Sequence, residues 1–226
     1  MSEFRESLRA ELATLGDPDR AVKQQAYMKS ALPFHGVPVP QVRSLTRSLV
    51  RRLPVASRAE FVHTVEAVWD GATHREERYA ALALLRAPRY KQWARDVEIV
   101  PLLRRLIVDA AWWDLVDELS HCVGDVLRSA HEAMEPVVRE WSRDDNLWLR
   151  RSSIICQLGF REATDLSLLT EAIDGSIGDR DFFARKAIGW ALREYAKTDS
   201  EWVRGYVAAN EARLSPLSRR EALKSR

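Results

Sequence analysis

The sequence predicts an all-α protein, an α-solenoid of antiparallel helix pairs with about a dozen helices. Apolar residues recur at three- and four-residue spacing along nearly the whole chain. Nine Gly and nine Pro among 226 residues are too few for an all-β fold, which needs a tight turn every 8–12 residues or so. The helical segments are joined mostly by short connections, so consecutive helices are expected to pack as antiparallel neighbours.

The helices carry start and stop signals. A first helix ends at Gly16, and Asp17-Pro18 then starts a second one, with Asp as N-cap and Pro at the first helical position. This second helix is predicted to run until the Val37-Pro-Val-Pro40 segment breaks it. Ser57 is three residues before a Glu, which is the spacing of a capping box. The later helices are predicted over 41–52, 57–69, 74–86, 96–108, 111–129, 130–141, 144–157, 165–174, 179–197, 201–210 and 216–224.

The chain is predicted to form one domain over residues 1–226. Pairs of helices recur at roughly the 40–47-residue scale of HEAT-like units, although no clean repeat is visible. No linker rich in Pro, Ser or Gly divides the chain. Glu76-Glu77 is interpreted as the solvated start of a helix.

Composition excludes several classes of protein. Cys122 and Cys156 cannot form a disulfide framework or a CxxC metal site, and both are expected to be inert thiols in the core. The five His show no metal-binding spacing, and no Gly-rich phosphate loop is present, so neither a metal nor a cofactor is expected. The first residues lack an apolar signal core and no window approaches 18 apolar residues, which predicts a cytoplasmic protein with no membrane partner. The net charge of +2 is no clear indication of nucleic-acid binding.

Three segments are not explained by core packing alone. In the first, Trp113 and Asp117 lie one helical turn apart, beside the apolar stripe that contains Trp112. An aromatic face and a carboxylate therefore share one patch. The alternative is that Trp113 packs on another helix and Asp117 is solvated.

In the second segment, Arg151 lies within an apolar stripe of its helix. A buried arginine is costly unless it is paired or faces an anionic ligand. Asp117 is a suitable partner for a structural bridge. In the third segment, Phe183, Lys186 and Trp190 share the side of a helix opposite its apolar face. Aromatics beside a cation suit a sugar–phosphate backbone or a cationic ligand, and burial in a core is the alternative.

Taken together, the three segments resemble the AlkD-like family of DNA alkylation repair glycosylases, which are built from HEAT-like repeats. The ordered matches run across nearly the whole chain. They are Gln25-Ala-Tyr-Met-Lys29, Pro33-Phe34-x-Gly36-Val37, Trp112-Trp-Asp-Leu-Val-Asp117, Asn146-Leu-Trp-Leu-Arg-Arg151, Phe182-Phe-x-x-Lys-Ala-Ile-Gly-Trp190-x-Leu-Arg-Glu-Tyr195 and Leu214-Ser-Pro-Leu-Ser-Arg-Arg-Glu-Ala-Leu-Lys224. Between the first two matches this chain has Ser30-Ala31-Leu32, where the family more often carries a polar residue.

The resemblance implies hydrolysis of the N-glycosidic bond of cationic N3- or N7-alkylated purines in duplex DNA, without flipping of the base into a pocket. By the family pattern, Asp117 is the catalytic carboxylate, Trp113 and Trp190 flank the deoxyribose of the lesion, and Arg151 belongs to the same cleft. Phe182 and Phe183 are expected near this surface. The partner is double-stranded DNA, and the protein is expected to act as a monomer.

The family fold also implies a concave, basic DNA-binding groove. Candidate phosphate contacts are Lys29, Arg43, Arg47, Arg185, Lys186 and Arg193. A solvated helix face explains each of these residues equally well. The alternative function is a non-catalytic HEAT-like module that binds DNA or a protein partner, and such a module has no need for the Asp117 carboxylate.

Overall fold

The computed structural model describes residues 3–224, and every regular element in that range is helical, which confirms the all-α prediction. The chain divides into two compact units, one ending at Ala94 and the other beginning at Arg95. The expectation of a single domain over residues 1–226 stays a prediction. None of the helices between residues 3 and 224 is long and apolar enough to cross a membrane.

Between residues 3 and 94, the first unit contains six helices. Helix α5 packs against α3 and α4, and α1 contacts all three. A single 3-10 turn at Pro88–Tyr90, which the sequence pattern did not predict, leads into α6. The helices are α1 (Glu3–Thr14), α2 (Pro18–Met28), α3 (Val39–Arg52), α4 (Arg58–Asp70), α5 (Arg75–Leu85) and α6 (Lys91–Ala94).

Helix starts in this unit follow the predicted caps, and one helix end does not. The Asp17 and Ser57 side chains accept hydrogen bonds from the first turns of α2 and α4, at 3.0 and 3.1 Å. Helix α2 ends at Met28, well before the Val37–Pro40 segment, because Lys29 adopts a left-handed conformation (φ 50°) and closes the helix. A segment without helix therefore connects α2 to α3.

The interpretation of Glu76 and Glu77 as a solvated helix start is wrong, because both are fully buried. The Glu76 carboxylate accepts hydrogen bonds from the backbone N–H groups of residues 35, 36 and 37, at 3.0, 2.8 and 3.1 Å. These N–H groups lie outside any helix and have no helical carbonyl as acceptor. Because buried N–H groups need a hydrogen-bond partner, the Glu76 carboxylate takes that role. Glu77 binds the Arg9 guanidinium at 2.8 Å.

The second unit is arranged around α10, which contacts five of the other helices of that unit. Small residues allow α8 and α10 to pack closely together. A Cβ added to Gly124 of α8 would lie 2.1 Å from the Cys156 carbonyl oxygen, and the Ser120 hydroxyl donates to the Ser152 hydroxyl at 3.0 Å. The helices are α7 (Val100–Ala110), α8 (Trp113–Ser129), α9 (His131–Trp141), α10 (Leu147–Ile155), α11 (Leu166–Asp174), α12 (Phe182–Tyr195), α13 (Ser200–Ala209) and α14 (Pro216–Ala222).

Both cysteines lie in this unit and are buried in its core, as expected. Burial raises the pKa of the Cys156 thiol to about 12. A thiol with such a pKa is protonated at neutral pH and therefore a poor nucleophile.

Candidate catalytic site

Asp117 and Arg151 form a bidentate ion pair between α8 and α10. Arg151 Nε donates to Asp117 Oδ1 at 2.8 Å, and its terminal nitrogen NH2 donates to Asp117 Oδ2 at 2.9 Å. The Arg151 side chain is 5% exposed, whereas that of Asp117 is 17% exposed. The carboxylate is thus the partner that solvent reaches, and the guanidinium supports it from within the protein.

Arg151 also connects the pair to α12. Its second terminal nitrogen donates to the Phe183 carbonyl oxygen at 2.8 Å. That carbonyl lies in the first turn of α12, where the Asp181 side chain caps the helix. One buried side chain therefore joins the three helices that carry the three unusual sequence segments. Because each of its nitrogens makes a hydrogen bond, burial of the charge is compensated.

Burial raises the pKa of Asp117, and the Arg151 guanidinium opposes that rise. A carboxylate that is poorly solvated and held in one orientation is suited to stabilising positive charge that develops near it. Two groups on the same helix have smaller effects of opposite sign: His121 lowers the pKa of Asp117, and Asp114 raises it.

The two tryptophans of the predicted site lie on different helices of the second unit. Trp113 is the first residue of α8, one turn before Asp117, and Trp190 lies on α12. Both are half-buried, so each exposes part of its side chain. Trp190 packs with its inner side against the apolar core formed by α10–α14.

An aromatic cluster that the sequence pattern did not predict surrounds the start of α12. Phe183 lies 5.5 Å from Trp112 and 5.1 Å from Trp148, measured between ring centroids. Phe182 packs edge-on against Phe183 and is 52% exposed. The sequence assigns no separate role to Trp148, because its contact with α12 joins residues far apart in the chain. These ring contacts hold Phe183 in place, and the Phe183 carbonyl oxygen is the one that accepts a hydrogen bond from Arg151.

The predicted phosphate contacts are divided between the two units. Lys29, Arg43 and Arg47 are exposed in the first unit. The three on α12 already have partners. Lys186 and Arg193 both bind Glu221, and Arg185 Nε donates to the Asp181 carbonyl oxygen at 3.2 Å.

A second polar cluster lies in the first unit. The His35 and His74 rings stack with centroids 3.7 Å apart, and possible ligand atoms of both rings and of Glu77 lie within 4.8 Å of one another. Burial lowers the pKa of His35. However, the Glu77 carboxylate already accepts hydrogen bonds from Arg9 and Thr73. The stack of His35 on His74 joins the segment that follows α2 to the start of α5.

The sequence and the fold of this chain are similar to those of known proteins. The sequence model of the family described as DNA alkylation repair enzyme matches residues 8–225. A solved structure described as a predicted DNA alkylation repair enzyme from Enterococcus faecalis is 32% identical, with a TM-score of 0.82 over 92% of this chain and 95% of that chain.

The crystal structure of smu.31 from Streptococcus mutans UA159 shares the fold at 15% identity. Its TM-score is 0.62, over 82% of this chain and 92% of that chain. No curated protein matches the sequence. The family match extends over both units and includes all of the site residues described above, so this chain belongs to the DNA alkylation repair enzyme family.

Proposed function

We propose that this protein is a DNA glycosylase that removes cationic N3- or N7-alkylated purines from duplex DNA. The observation that carries the proposal is the solvent-accessible Asp117 carboxylate, aligned by a buried arginine. A module that only binds DNA has no use for an oriented, poorly solvated carboxylate.

In the proposed reaction, the bond between C1′ of the deoxyribose and the purine nitrogen breaks. Its electron pair goes to the cationic purine, which leaves as a neutral base, and C1′ becomes an oxocarbenium-like centre. The Asp117 carboxylate stabilises this positive charge. A water molecule then forms a bond to C1′ and gives a proton to Asp117, which leaves an abasic site.

Trp113 and Trp190 are proposed to place their exposed ring faces beside the deoxyribose. Aromatic faces attract a cation by their quadrupole without selecting one base. Arg151 acts through Asp117, because its guanidinium is buried and committed to the carboxylate and to the Phe183 carbonyl. Phe182, with its exposed ring, is proposed to contact DNA.

The experiment is product identification from duplex DNA treated with a methylating agent. We expect the purified protein to release free 3-methyladenine or 7-methylguanine and to leave one abasic site for each base released. Chromatography of the free bases and an aldehyde-reactive probe for abasic sites measure the two products. Binding of the duplex without release of either base would instead favour the non-catalytic module.

A further inference from the structure

Two cations on one face of α12 share a partner on α14, and Trp190 lies on the same face between them in sequence. Lys186, Trp190 and Arg193 are spaced at i, i+4 and i+7, so they follow one another along the same side of the helix. The Lys186 ammonium lies 3.0 Å from Glu221 Oε2, and the Arg193 guanidinium donates to the same oxygen at 2.6 Å. Trp190 therefore lies between two cations that one carboxylate holds.

The Glu221 side chain is well enclosed, with 12% of it exposed. The Lys186 ammonium and the Arg193 guanidinium lower the pKa of Glu221. Glu221 is thus ionised at neutral pH. Its hydrogen bonds are charge-assisted, which makes them stronger than neutral ones.

Helix α14 is held at close range to α12 by its backbone. A Cβ added to Gly189 would lie 2.5 Å from the Glu221 Cβ and 2.9 Å from the Ser218 carbonyl oxygen. The Ser218 hydroxyl also donates to the Arg185 carbonyl oxygen at 2.9 Å. These contacts fix the register of the two helices, so that Glu221 has little freedom to move away from the Trp190 face.

We infer that Glu221 is a positioning residue, which orients the α12 face carrying Trp190 by binding the cations on either side of it. The inference rests on the proposed function, in which Trp190 contacts the lesion. Glu221 also changes the electrostatic attraction between this face and DNA. One carboxylate offsets part of the charge of Lys186 and Arg193, so these residues attract DNA less strongly than two free cations would.

Replacement of Glu221 should therefore lower the rate of base release without weakening the binding of DNA. In Glu221→Gln we expect the single-turnover rate of base release to fall by about tenfold or more, because small misplacements of positioned groups are costly. The Kd for a duplex with an abasic-site analogue should stay equal or decrease, with a steeper salt dependence. Glu221→Asp should recover part of the rate. Glu211→Gln is the matched control, since Glu211 pairs with Arg219 at the exposed surface.

A double-mutant cycle decides whether Glu221 acts through Trp190. In a Trp190→Ala background, Glu221→Gln should change the rate less than twofold. A full tenfold loss in that background, or an unchanged rate in Glu221→Gln alone, would overturn the inference.

A second readout does not depend on activity. In protein labelled with 5-fluorotryptophan, the Trp190 resonance is assigned by Trp190→Phe and that of Trp113 by Trp113→Phe. Glu221→Gln should shift or broaden the Trp190 signal and leave the Trp113 signal in place. If the Trp190 signal shifts but the wild-type protein releases no base, only the proposed function is refuted. If the Trp190 signal does not move, the positioning role of Glu221 is refuted.

Discussion

At the residue scale, the ion pair of Asp117 and Arg151 serves to orient a charge more than to stabilise the fold. Burying an ion pair is often no better for stability than apolar packing of the same volume. The bidentate geometry nevertheless gives the carboxylate one orientation, and the Phe183 carbonyl fixes the guanidinium in turn. Such an arrangement is useful where a charge must already be in place when the reaction needs it.

The raised pKa of Asp117 predicts the acid side of the pH–rate profile. Only the ionised carboxylate stabilises the oxocarbenium-like sugar, so the rate should fall as the pH drops through the pKa of Asp117. Because burial raises that pKa, the midpoint should lie above the ordinary value of about 4 for aspartate. Single-turnover rates between pH 4 and 9, corrected for spontaneous depurination, measure it.

Substitution of Arg151 provides the paired test of this pH dependence. Arg151→Met removes the cation that lowers the pKa of Asp117, so the midpoint should move to higher pH. Arg151→Lys should give an intermediate shift because it keeps the charge but not the bidentate contact. Arg150→Met is the control, since Arg150 binds Asp179. A midpoint that stays the same in Arg151→Met would contradict the assignment of this limb to Asp117.

At the element scale, the contact between α12 and α14 depends on the absence of a side chain at Gly189. Gly189→Ala should lower the free energy of unfolding by about 1–3 kcal/mol, as overpacking usually does. Gly205 lies within α13 and has open space around the position of a Cβ. Gly205→Ala should therefore raise the free energy of unfolding by up to about 1 kcal/mol, because alanine favours helix. Urea denaturation measures both, and equal effects of the two substitutions would argue against close packing at Gly189.

Sequence patterns predicted the helices well where the signals are local. The caps at Asp17 and Ser57 depend on neighbouring residues alone, and both are present. The pairing of Arg151 with Asp117, 34 positions away, could be anticipated because a buried arginine needs a carboxylate. The burial of Glu76 could not, since its partners belong to a segment some 40 residues earlier. Glu221 was missed for the same reason.

At the scale of the whole molecule, the net charge of +2 gives little information about binding because it is only a sum. Several basic residues are neutralised by local ion pairs, as Lys186 and Arg193 are by Glu221. Trp113 and Trp190, two of the eight tryptophans, each keep part of their surface exposed, one a turn before Asp117 and the other on the α12 face that carries Lys186 and Arg193. The local arrangement of charges and rings is therefore more informative about binding than the composition is.

Salt dependence tests the predicted phosphate contacts of the first unit. Lys29→Asn should reduce the slope of log K against log [salt] by about one for duplex DNA, if Lys29 contacts one phosphate. Asparagine is chosen because it tolerates the left-handed backbone at this position, where φ is 50°. Lys23→Asn, also exposed on α2, is the control. An unchanged slope in Lys29→Asn would remove Lys29 from the DNA-binding surface.

The most direct test of the central claim is the single-turnover rate of Asp117→Asn. The substrate is a duplex with one 7-methylguanine, and the enzyme is saturating. Asparagine keeps the shape of the side chain but not its charge, so the rate should fall by at least about a hundredfold. The Kd for a duplex with an abasic-site analogue should stay within a few-fold of the wild-type value. Asp125→Asn, on the same helix and paired with Arg95, should behave as the wild type. Release of 7-methylguanine by Asp117→Asn at the wild-type rate would contradict the assignment of Asp117 as the catalytic carboxylate.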